Sequence, residues 1–344
     1  CLTCRNCEST CPSGVQYGHL LDIGRKIVDA KVPRPTPEKA LRWALKEGLP
    51  SPLFAPAMKM GQAVRGLLPA ALQAKVPAKQ EAGAWPTRSH ARKVLMLAGC
   101  VQPSMMPNIN AATARVLDAA GIQTVIAPKA GCCGAVKFHL NDQDGGRAEM
   151  RANIDAWWPM IASGEVEALV MNASGCGVTV REYGHFLKDE PAYAAKAQRI
   201  GELTRDLSEL LPAIVAALRQ SRPERVPGPP AGDAGAGRHL AFHPPCSLQH
   251  GQQLRGAVEQ HLAAFGFKVQ VARSESHLCC GSAGTYSVLN PDLSHQLRDR
   301  KLGHLGELEP DVIVSANIGC ITHLQSGTPT PVRHWVEVLD EHLR

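Results

Sequence analysis

The chain has 344 residues, of which 44% are hydrophobic and 4% aromatic, and its 37 Lys and Arg against 31 Asp and Glu give a net charge of +6. This length fits two domains with a smaller third, and the hydrophobic fraction excludes a generally disordered chain. So modest a charge, with few aromatic residues and no dense Lys/Arg block, argues against nucleic acid as a partner.

Twelve cysteines are the unusual feature of the composition. They are too few for a disulfide scaffold of this length, and the sequence opens with no secretory signal. It also holds no run of 18 predominantly apolar residues that could cross a membrane. Thiols in such a chain indicate metal or redox chemistry in a reducing compartment, which predicts a cytoplasmic protein.

The first four cysteines form a ferredoxin-type run. Residues 1–12 follow the pattern C-x2-C-x2-C-x3-C-P, the spacing with which bacterial ferredoxins bind [4Fe–4S] clusters. Zinc or disulfides are the alternatives, but four thiolates at this spacing crowd a single zinc ion. We therefore predict a partial ferredoxin-type domain over residues 1–33, with cluster ligands at Cys1, Cys4, Cys7 and Cys11.

The position of Cys1 leads to a further expectation. In two-cluster ferredoxins the fourth cysteine of the run serves the other cluster. On that pattern Cys1, Cys4 and Cys7 share one cluster whose fourth ligand lies upstream, and Cys11 belongs to a second cluster. We therefore expect an N-terminal part of this domain to precede Cys1.

Residues 34–92 are predicted to form a helical linker region. Residues 40–47 have the composition and flanking residues of a helix. Apolar residues recur at helical spacing over 57–74, where Pro69 should kink or break the helix. We expect this second helix to pack on a neighbouring domain. Residues 75–92 are predicted to be an extended linker.

Two long segments, residues 93–220 and 239–344, repeat one pattern. Each has a β-rich run followed by a cysteine, then a helix, a strand, a Cys-Cys-Gly and a further strand followed by a cysteine. The offsets are 246 − 100 = 146, 279 − 132 = 147 and 320 − 176 = 144. Such near-constant offsets indicate a duplicated domain. The Pro-, Gly- and Ala-rich residues 221–238 between the copies are predicted to be a linker.

Alternating strands and helices predict an α/β fold with a mostly parallel sheet in each copy. Sites in such sheets form at the carboxyl ends of the strands, where four of these cysteines lie. The predicted strands are residues 93–98, 124–127 and 168–171 in the first copy and 239–243, 268–271 and 312–314 in the second, and the predicted first helices are residues 111–120 and 253–265.

Each copy should therefore gather four thiols at one edge of its sheet. Adjacent cysteines strain a chelate of a single ion, whereas neighbouring thiolates can bind different irons of a cluster. Gly134 and Gly281 would let the backbone pass close to a bulky cofactor. Buried structural cysteines, a vicinal disulfide and zinc remain alternatives. The predicted cluster ligands are Cys100, Cys132, Cys133 and Cys176 in the first copy and Cys246, Cys279, Cys280 and Cys320 in the second.

The Cys…Cys-Cys-Gly…Cys repeat resembles the cysteine-rich CCG domain of heterodisulfide reductase and related iron–sulfur subunits. Longer stretches, including residues 1–15, 130–141, 174–184 and 278–286, are similar to the iron–sulfur subunits of glycolate oxidase, and the similarity covers the chain apart from the linkers. It implies a subunit that carries electrons on [4Fe–4S] clusters. It also implies FAD-binding partner subunits that oxidise glycolate to glyoxylate, and an acceptor such as the membrane quinone pool at the cytoplasmic face.

One departure from the heterodisulfide reductase pattern limits the chemistry. There the last cysteine begins a C-x-x-C, but Thr179 and His323 occupy its second position here. Four thiols per copy argue against a noncubane cluster and against disulfide reduction, and His323 is favoured as a core residue over a ligand. No G-x-G-x-x-G opens a helix, so hydride transfer is not expected. Subunits for lactate or glycerol-3-phosphate oxidation and a zinc scaffold remain alternatives.

Overall fold

Two parallel four-stranded sheets organise the chain. The computed structural model describes residues 1–73, 75–230 and 238–344. The strands are β1 Arg92–Met96, β2 Ile122–Val125, β3 Ala168–Met171 and β4 Thr204–Asp206 in the first domain and β5 His239–Phe242, β6 Lys268–Val271, β7 Val312–Ser315 and β8 Val332–His334 in the second. The first sheet has the order β2-β1-β3-β4 and the second β6-β5-β7-β8, with every pair parallel.

Helices lie between successive strands, as parallel pairing requires. Before β1 they are α1 Asn6–Ser9, α2 Tyr17–Lys31, α3 Thr36–Gly48, α4 Phe54–Ala63 and α5 Ala70–Gln73. The first domain contains α6 Gln102–Met105, α7 Pro107–Ala119, α8 Ala135–His139, α9 Gln143–Ala162, α10 Ser174–Arg181, α11 Tyr183–Phe186, α12 Ala194–Leu203 and α13 Leu211–Ser221. The second contains α14 Ala257–Ala264, α15 Tyr286–Leu289, α16 Pro291–Gly306, α17 Ile318–Gln325 and α18 Trp335–Leu343.

The central strands explain why the sheets form. In β1, Val94, Leu95 and Met96 are fully buried, and Leu240 and Ala241 are fully buried in β5. A strand with helices on both faces has no solvent side, so its sequence is a continuous apolar run rather than an alternating one. The predicted α/β fold with parallel sheets is therefore confirmed.

Two strands were not predicted from the sequence. Strands β4 and β8 each have three residues and lie at corresponding edges of the two sheets. Three residues are too few to show a periodic pattern, and both are placed by pairing with β3 and β7. The strands predicted over 168–171 and 268–271 match β3 and β6.

The segment between residues 57 and 74 differs in detail from its prediction. Helix α4 ends at Ala63, and a single 3-10 turn at Arg65–Leu67 separates it from α5. The break therefore comes before Pro69, which instead directly precedes α5; residue 74 lies outside the described residues. The amide of Gln62 donates to the carbonyl of Ser104, at 3.4 Å, so α4 packs on the first domain as expected.

The two predicted linkers are largely irregular where they are described. Residues 77–91 contain no helix or strand. Part of the second linker forms the 3-10 turn Pro223–Arg225, and Arg225 donates to the His342 carbonyl at 2.8 Å. Residues 231–237 of that linker lie outside the described residues.

One apolar cluster extends across both domains. Buried residues from α7 and α13 belong to the same cluster as those from β5 and α18. Helix α7 packs along α18, and Arg115 pairs with Asp340 at 2.8 Å across this contact. Next to the cysteines, the Ser174 amide donates to the Ala316 carbonyl at 3.0 Å. The domains therefore form one unit in which the loops that follow β3 and β7 touch.

Candidate metal centres

The N-terminal cysteines lie on a tight loop. Thr3 and Arg5, on either side of Cys4, have φ values of 53° and 61°. This left-handed conformation costs a residue other than glycine about 1 to 2 kcal/mol, so the surrounding contacts must impose it. Arg25 of α2 supplies one such contact by donating to the Thr3 hydroxyl at 3.1 Å. The loop has the compact form that a chelating run requires.

Backbone amides surround the last thiol of this run. The N–H groups of Val15, Ser13 and Gly14 point at the Cys11 sulfur and hold the pKa of this thiol below its ordinary value. Donors of this kind stabilise a thiolate, the form that binds metal.

The N-terminal loop is seated against both domains. Arg5 pairs with Glu182 of the first domain at 2.6 Å. Ser9 makes a hydrogen bond of 2.8 Å with the Nδ1 atom of His250 in the second domain. The pKa of Cys4 is raised, mainly by burial and also by the nearby Cys246 thiol. The loop therefore brings a thiol of the ferredoxin-type run close to the second domain's cysteines.

The fold brings together all four cysteines of the first copy. Cys100 follows β1, Cys132 and Cys133 lie between β2 and α8, and Cys176 is in the first turn of α10. Hydrogen bonds link Cys100 to Cys132, Cys132 to Cys133, and Cys133 to Cys176. The pKa of Cys100 is raised, first by its hydrogen bond to Cys132 and then by burial. The fold thus places the four sulfurs in one connected set.

The second copy repeats this arrangement. Cys246, Cys279, Cys280 and Cys320 are all buried, with the same chain of contacts from one thiol to the next. Hydrogen bonding to Cys279, followed by burial, raises the pKa of Cys246. One nitrogen of the His243 ring and the sulfurs of Cys280 and Cys320 all lie within 4.8 Å of one another. All twelve cysteines of the chain are free thiols, so no vicinal disulfide is formed.

Each Cys-Cys-Gly turn has a steric reason for its glycine. Gly134 and Gly281 have φ values of 92° and 90°, and each donates its N–H to the sulfur two residues earlier at 3.4 Å. A Cβ on Gly281 would lie 2.3 Å from the Ser294 carbonyl oxygen, and one on Gly134 would lie 2.7 Å from that of Gly146. The glycines therefore permit a close approach to α16 and α9, and the approach of the backbone to a cofactor stays a prediction.

The residues that hold the two turns differ between the copies. The Asn153 amide donates to the Cys132 carbonyl at 2.6 Å and accepts from the Gly131 N–H at 2.8 Å. The offset 294 − 146 = 148 pairs Ser294 with Gly146, and the same offset pairs Lys301 with Asn153. The Lys301 ammonium is buried and donates to the carbonyls of Glu275 and Ser276.

The charges beside the thiols differ accordingly. Burial lowers the pKa of Lys301, while the sulfurs of Cys246, Cys280 and Cys279 favour its charged form. In the first copy the Glu149 carboxyl lies against Cys132, and burial together with that thiol raises its pKa to about 8. An ammonium therefore faces the second thiol set, and a carboxyl faces the first.

Sequence analysis did not identify His243, Lys301 or Glu149. A comparison of the two copies could have identified Lys301, because α16 has this lysine at the position where α9 has Asn153. Thr179 and His323 stand where the reductase pattern has its fifth thiols, and both form hydrogen bonds with groups other than the cysteine sulfurs. Thr179 donates to the Gly175 carbonyl at 3.2 Å, and the His323 ring is hydrogen-bonded to the Ser294 hydroxyl at 3.0 Å. His323 is therefore a hydrogen-bonded core residue.

The donor sets fit a polynuclear iron–sulfur group. Sulfurs in mutual contact share protons because adjacent thiolates repel one another. In the first copy, hydrogen bonds to Cys100 and Cys133 lower the pKa of Cys132 to about 3, while the pKa values of those two neighbours are raised. A multi-iron cluster would replace the remaining protons and offer each neighbouring sulfur its own iron, as thiolate ligation of [4Fe–4S] clusters requires. The ring nitrogen at the second site is also an acceptable iron ligand.

None of the helices in the described residues is both long enough and apolar enough to span a bilayer.

Comparison with known proteins places these sites in a family. A family model described as "Cysteine-rich domain" matches residues 94–181 and 240–325. The glycolate oxidase iron–sulfur subunit of Escherichia coli is 51% identical over all of this chain and 81% of its own length. A probable glycolate oxidase iron–sulfur subunit of Bacillus subtilis is 28% identical over 95% of this chain and 76% of its own length.

A more distant relative is lactate utilization protein A of Bacillus licheniformis, which is 26% identical over 72% of this chain and 99% of its own length. The two matches to the cysteine-rich model bear out the duplication, since each one covers a Cys-Cys-Gly turn and the cysteines before and after it. The chain therefore belongs to the family of glycolate oxidase iron–sulfur subunits.

Proposed function

We propose that this chain is the iron–sulfur electron-transfer subunit of a complex that oxidises glycolate to glyoxylate. The observation that carries the proposal is the pair of four-thiol sets, the second of them fully buried, on a chain 51% identical to a glycolate oxidase iron–sulfur subunit. FAD-binding partner subunits would oxidise the substrate, and the electrons would pass to a quinone or another acceptor. The complex would lie in the cytoplasm or on the cytoplasmic face of the inner membrane.

The ligand assignment is part of this proposal. Residues 1–33 would form a partial ferredoxin-type domain, 34–92 a helical linker, and 93–220 and 239–344 the two CCG domains. The proposed [4Fe–4S] ligands are Cys1, Cys4, Cys7 and Cys11 in the first of these, Cys100, Cys132, Cys133 and Cys176 in the first CCG domain, and Cys246, Cys279, Cys280 and Cys320 in the second.

The protein's contribution is to hold the thiols in place and keep water from them. Asn153 and the Tyr183 hydroxyl bind the carbonyls of Cys132 and Cys133, at 2.6 and 2.9 Å, and so orient the adjacent pair. A cluster bound there accepts and releases one electron at a time. Burial reduces the reorganisation of solvent that accompanies each change of charge.

A thiol substitution in the complete complex separates electron transfer from substrate oxidation. We expect Cys280→Ser, and equally Cys132→Ser, to reduce electron delivery to a quinone analogue while leaving the rate of flavin reduction by glycolate unchanged. Stopped-flow absorbance of the flavin measures the second rate, and steady-state reduction of the acceptor measures the first.

Thr179→Val is the matched control, because this buried side chain stands where the reductase pattern has a fifth thiol. It should leave both rates unchanged. Loss of flavin reduction in a correctly assembled Cys280→Ser complex would contradict the electron-transfer role. An effect of Thr179→Val as large as that of Cys280→Ser would mean that the loss of electron delivery does not depend on the thiol.

Lactate is the second candidate substrate, favoured by the similarity to lactate utilization protein A. The same stopped-flow experiment distinguishes the two, since the flavin should be reduced by glycolate at lower concentration than by lactate. The opposite preference would assign the chain to a lactate-oxidising complex.

A further inference from the structure

His243 is a fully buried histidine whose ring nitrogens both lack a hydrogen-bond partner within the described chain. His334, which is equally buried, shows the usual arrangement: its Nε2 pairs with the Asn172 carbonyl at 2.9 Å and its Nδ1 accepts from the Val336 amide at 3.1 Å. An unsatisfied buried polar group loses its hydrogen bonds to water without compensation and is unfavourable. The exception at His243 therefore points to a partner that the polypeptide does not supply.

The ring of His243 is aimed at the second thiol set. One of its nitrogens lies within 4.8 Å of the sulfurs of both Cys280 and Cys320, and these two sulfurs also lie within 4.8 Å of each other. Three donor atoms at these separations can bind one metal-containing group.

The backbone holds His243 in this position. Its amide donates to the Val314 carbonyl at 2.8 Å, and its own carbonyl accepts from the Ser315 hydroxyl at 3.0 Å. Both partners belong to β7, the strand that leads to Cys320. The strand pair that leads to Cys246 and Cys320 therefore also fixes the backbone of His243 beside these thiols.

The first copy has no such donor. The offset of 146 that relates Cys246 to Cys100 pairs His243 with Leu97. Leu97 is 3% exposed and belongs to the apolar core of the first domain. The nitrogen donor is thus specific to the second copy, in which the buried ammonium of Lys301 also lies beside the thiols.

We infer that His243 is a nitrogen ligand of the iron–sulfur group at the second thiol set, so that this site has five protein donors and the first has four. The inference rests on the proposed binding of a cluster by Cys246, Cys279, Cys280 and Cys320. The imidazole adds a neutral donor to the four thiols, and the ammonium of Lys301 beside them favours the more negative, reduced form of a bound cluster. The first copy has the Glu149 carboxyl beside its thiols instead. The two copies therefore differ in potential, and the second site is the more readily reduced.

Pulsed EPR of the full-length chain tests this ligation directly. The protein is prepared without oxygen and reduced with dithionite, once at natural isotope abundance and once with ¹⁵N-labelled histidine. We expect a strong nitrogen hyperfine coupling that changes with the label and disappears in His243→Leu, which copies the first domain. His243→Cys should also abolish it, keep the iron content, and lower the midpoint potential of the second site.

The matched control is His323→Asn, which changes another buried histidine of the same domain without touching the thiols' nitrogen donor. It should leave the coupling and the potential unchanged. A strong histidine coupling that survives in both His243 variants would overturn the inference. So would a wild-type spectrum with two thiol-bound clusters and only weak nitrogen couplings, which indicate hydrogen bonding without ligation.

A different result would overturn the proposed function itself. If Cys280→Ser left both the iron content and the EPR spectrum unchanged, the second thiol set would hold no cluster. That outcome is distinguishable from a failure of the histidine inference, in which Cys280→Ser removes a cluster signal and His243→Leu leaves its nitrogen couplings intact.

Discussion

At the scale of single residues, the two Cys-Cys-Gly turns show how one backbone requirement recurs while the chemistry around it changes. Both glycines have φ near 90° and lie against a carbonyl of the following long helix. The residues that face the thiols are free to differ, and Asn153 in one copy corresponds to Lys301 in the other. The turn is thus the common element, and the electrostatic surroundings of the sulfurs are particular to each copy.

Gly281→Ala tests the steric part of this argument. The new Cβ would meet the Ser294 carbonyl at 2.3 Å and impose a left-handed conformation on alanine, so we expect the free energy of unfolding to fall by about 1 to 3 kcal/mol or more. Denaturant unfolding of the whole chain measures the change.

Gly303→Ala is the matched control within α16, since nothing lies within 4 Å of its added Cβ. It should stabilise the chain by up to about 1 kcal/mol through helix propensity. Equal effects of the two substitutions would contradict the steric role of Gly281.

At the scale of elements, the contact between α7 and α18 joins the two domains. Arg115 of α7 makes two hydrogen bonds to the Asp340 carboxylate, at 2.9 and 2.8 Å, and a third to the Ala84 carbonyl at 2.9 Å. The Arg115 guanidinium, which belongs to the first domain, thereby contacts both the second domain and the segment before β1. The apolar residues of both helices surround it.

Arg115→Met should weaken this contact. The side chain of Asp340 is only 6% exposed, and a buried carboxylate that loses its partner costs up to about 3 kcal/mol, although Arg344 also pairs with it. Thermal unfolding should show a lower midpoint. Arg92→Met is the control, because the Arg92–Glu167 pair is 49% and 41% exposed and such pairs contribute about 0 to 1 kcal/mol. A smaller effect for Arg115 than for Arg92 would contradict this account.

At the scale of the whole molecule, hydrogen bonds across the domain boundary place the two thiol sets on neighbouring loops. The Ser174 hydroxyl meets that of Ser247 at 2.7 Å, one on each side of the boundary. His334, at the end of β8, reaches across to the carbonyl of Asn172 at the end of β3. Cys176 and Cys246 each lie within two residues of such a contact, so the relative position of the domains also sets the relative position of the sites.

His334 makes this arrangement sensitive to pH. Burial lowers its pKa from 6.5 to about 3. Between these values the unfolded chain binds a proton that the folded chain does not. The contribution of His334 to the free energy of unfolding is therefore complete above pH 6.5. It is lost as the pH falls toward 3, by about 1.4 kcal/mol per pH unit.

His334→Gln should flatten this fall between pH 7 and pH 5 while lowering the free energy of unfolding at pH 7, where the hydrogen bonds of the ring are lost. Denaturant titrations at the two pH values measure both effects. An unchanged pH dependence in the variant would mean that His334 is not a source of it.

The prediction of the fold depended on patterns long enough to repeat. Strands β3 and β6 match their predicted ranges because β3 is a continuous apolar run and β6 alternates valine with polar residues. The edge strands β4 and β8 could not be predicted, since three residues have no period and pairing with β3 and β7 alone defines them. The helix break in residues 57–74 comes earlier than Pro69 predicts, because α4 already ends at Ala63 and the 3-10 turn Arg65–Leu67 follows it.

By itself the sequence determined the duplication, the α/β class and the three groups of four cysteines, because these depend on composition, periodicity and spacing along the chain. The tertiary structure alone decided which other groups face the thiols. His243, Lys301 and Glu149 carry no motif and lie between 17 and 37 positions from the nearest thiols they approach, since 149 − 132 = 17, 301 − 280 = 21 and 280 − 243 = 37. Only strand pairing and helix packing bring them to the sulfurs, and burial then gives their charge and lone pairs an effect that water would have screened.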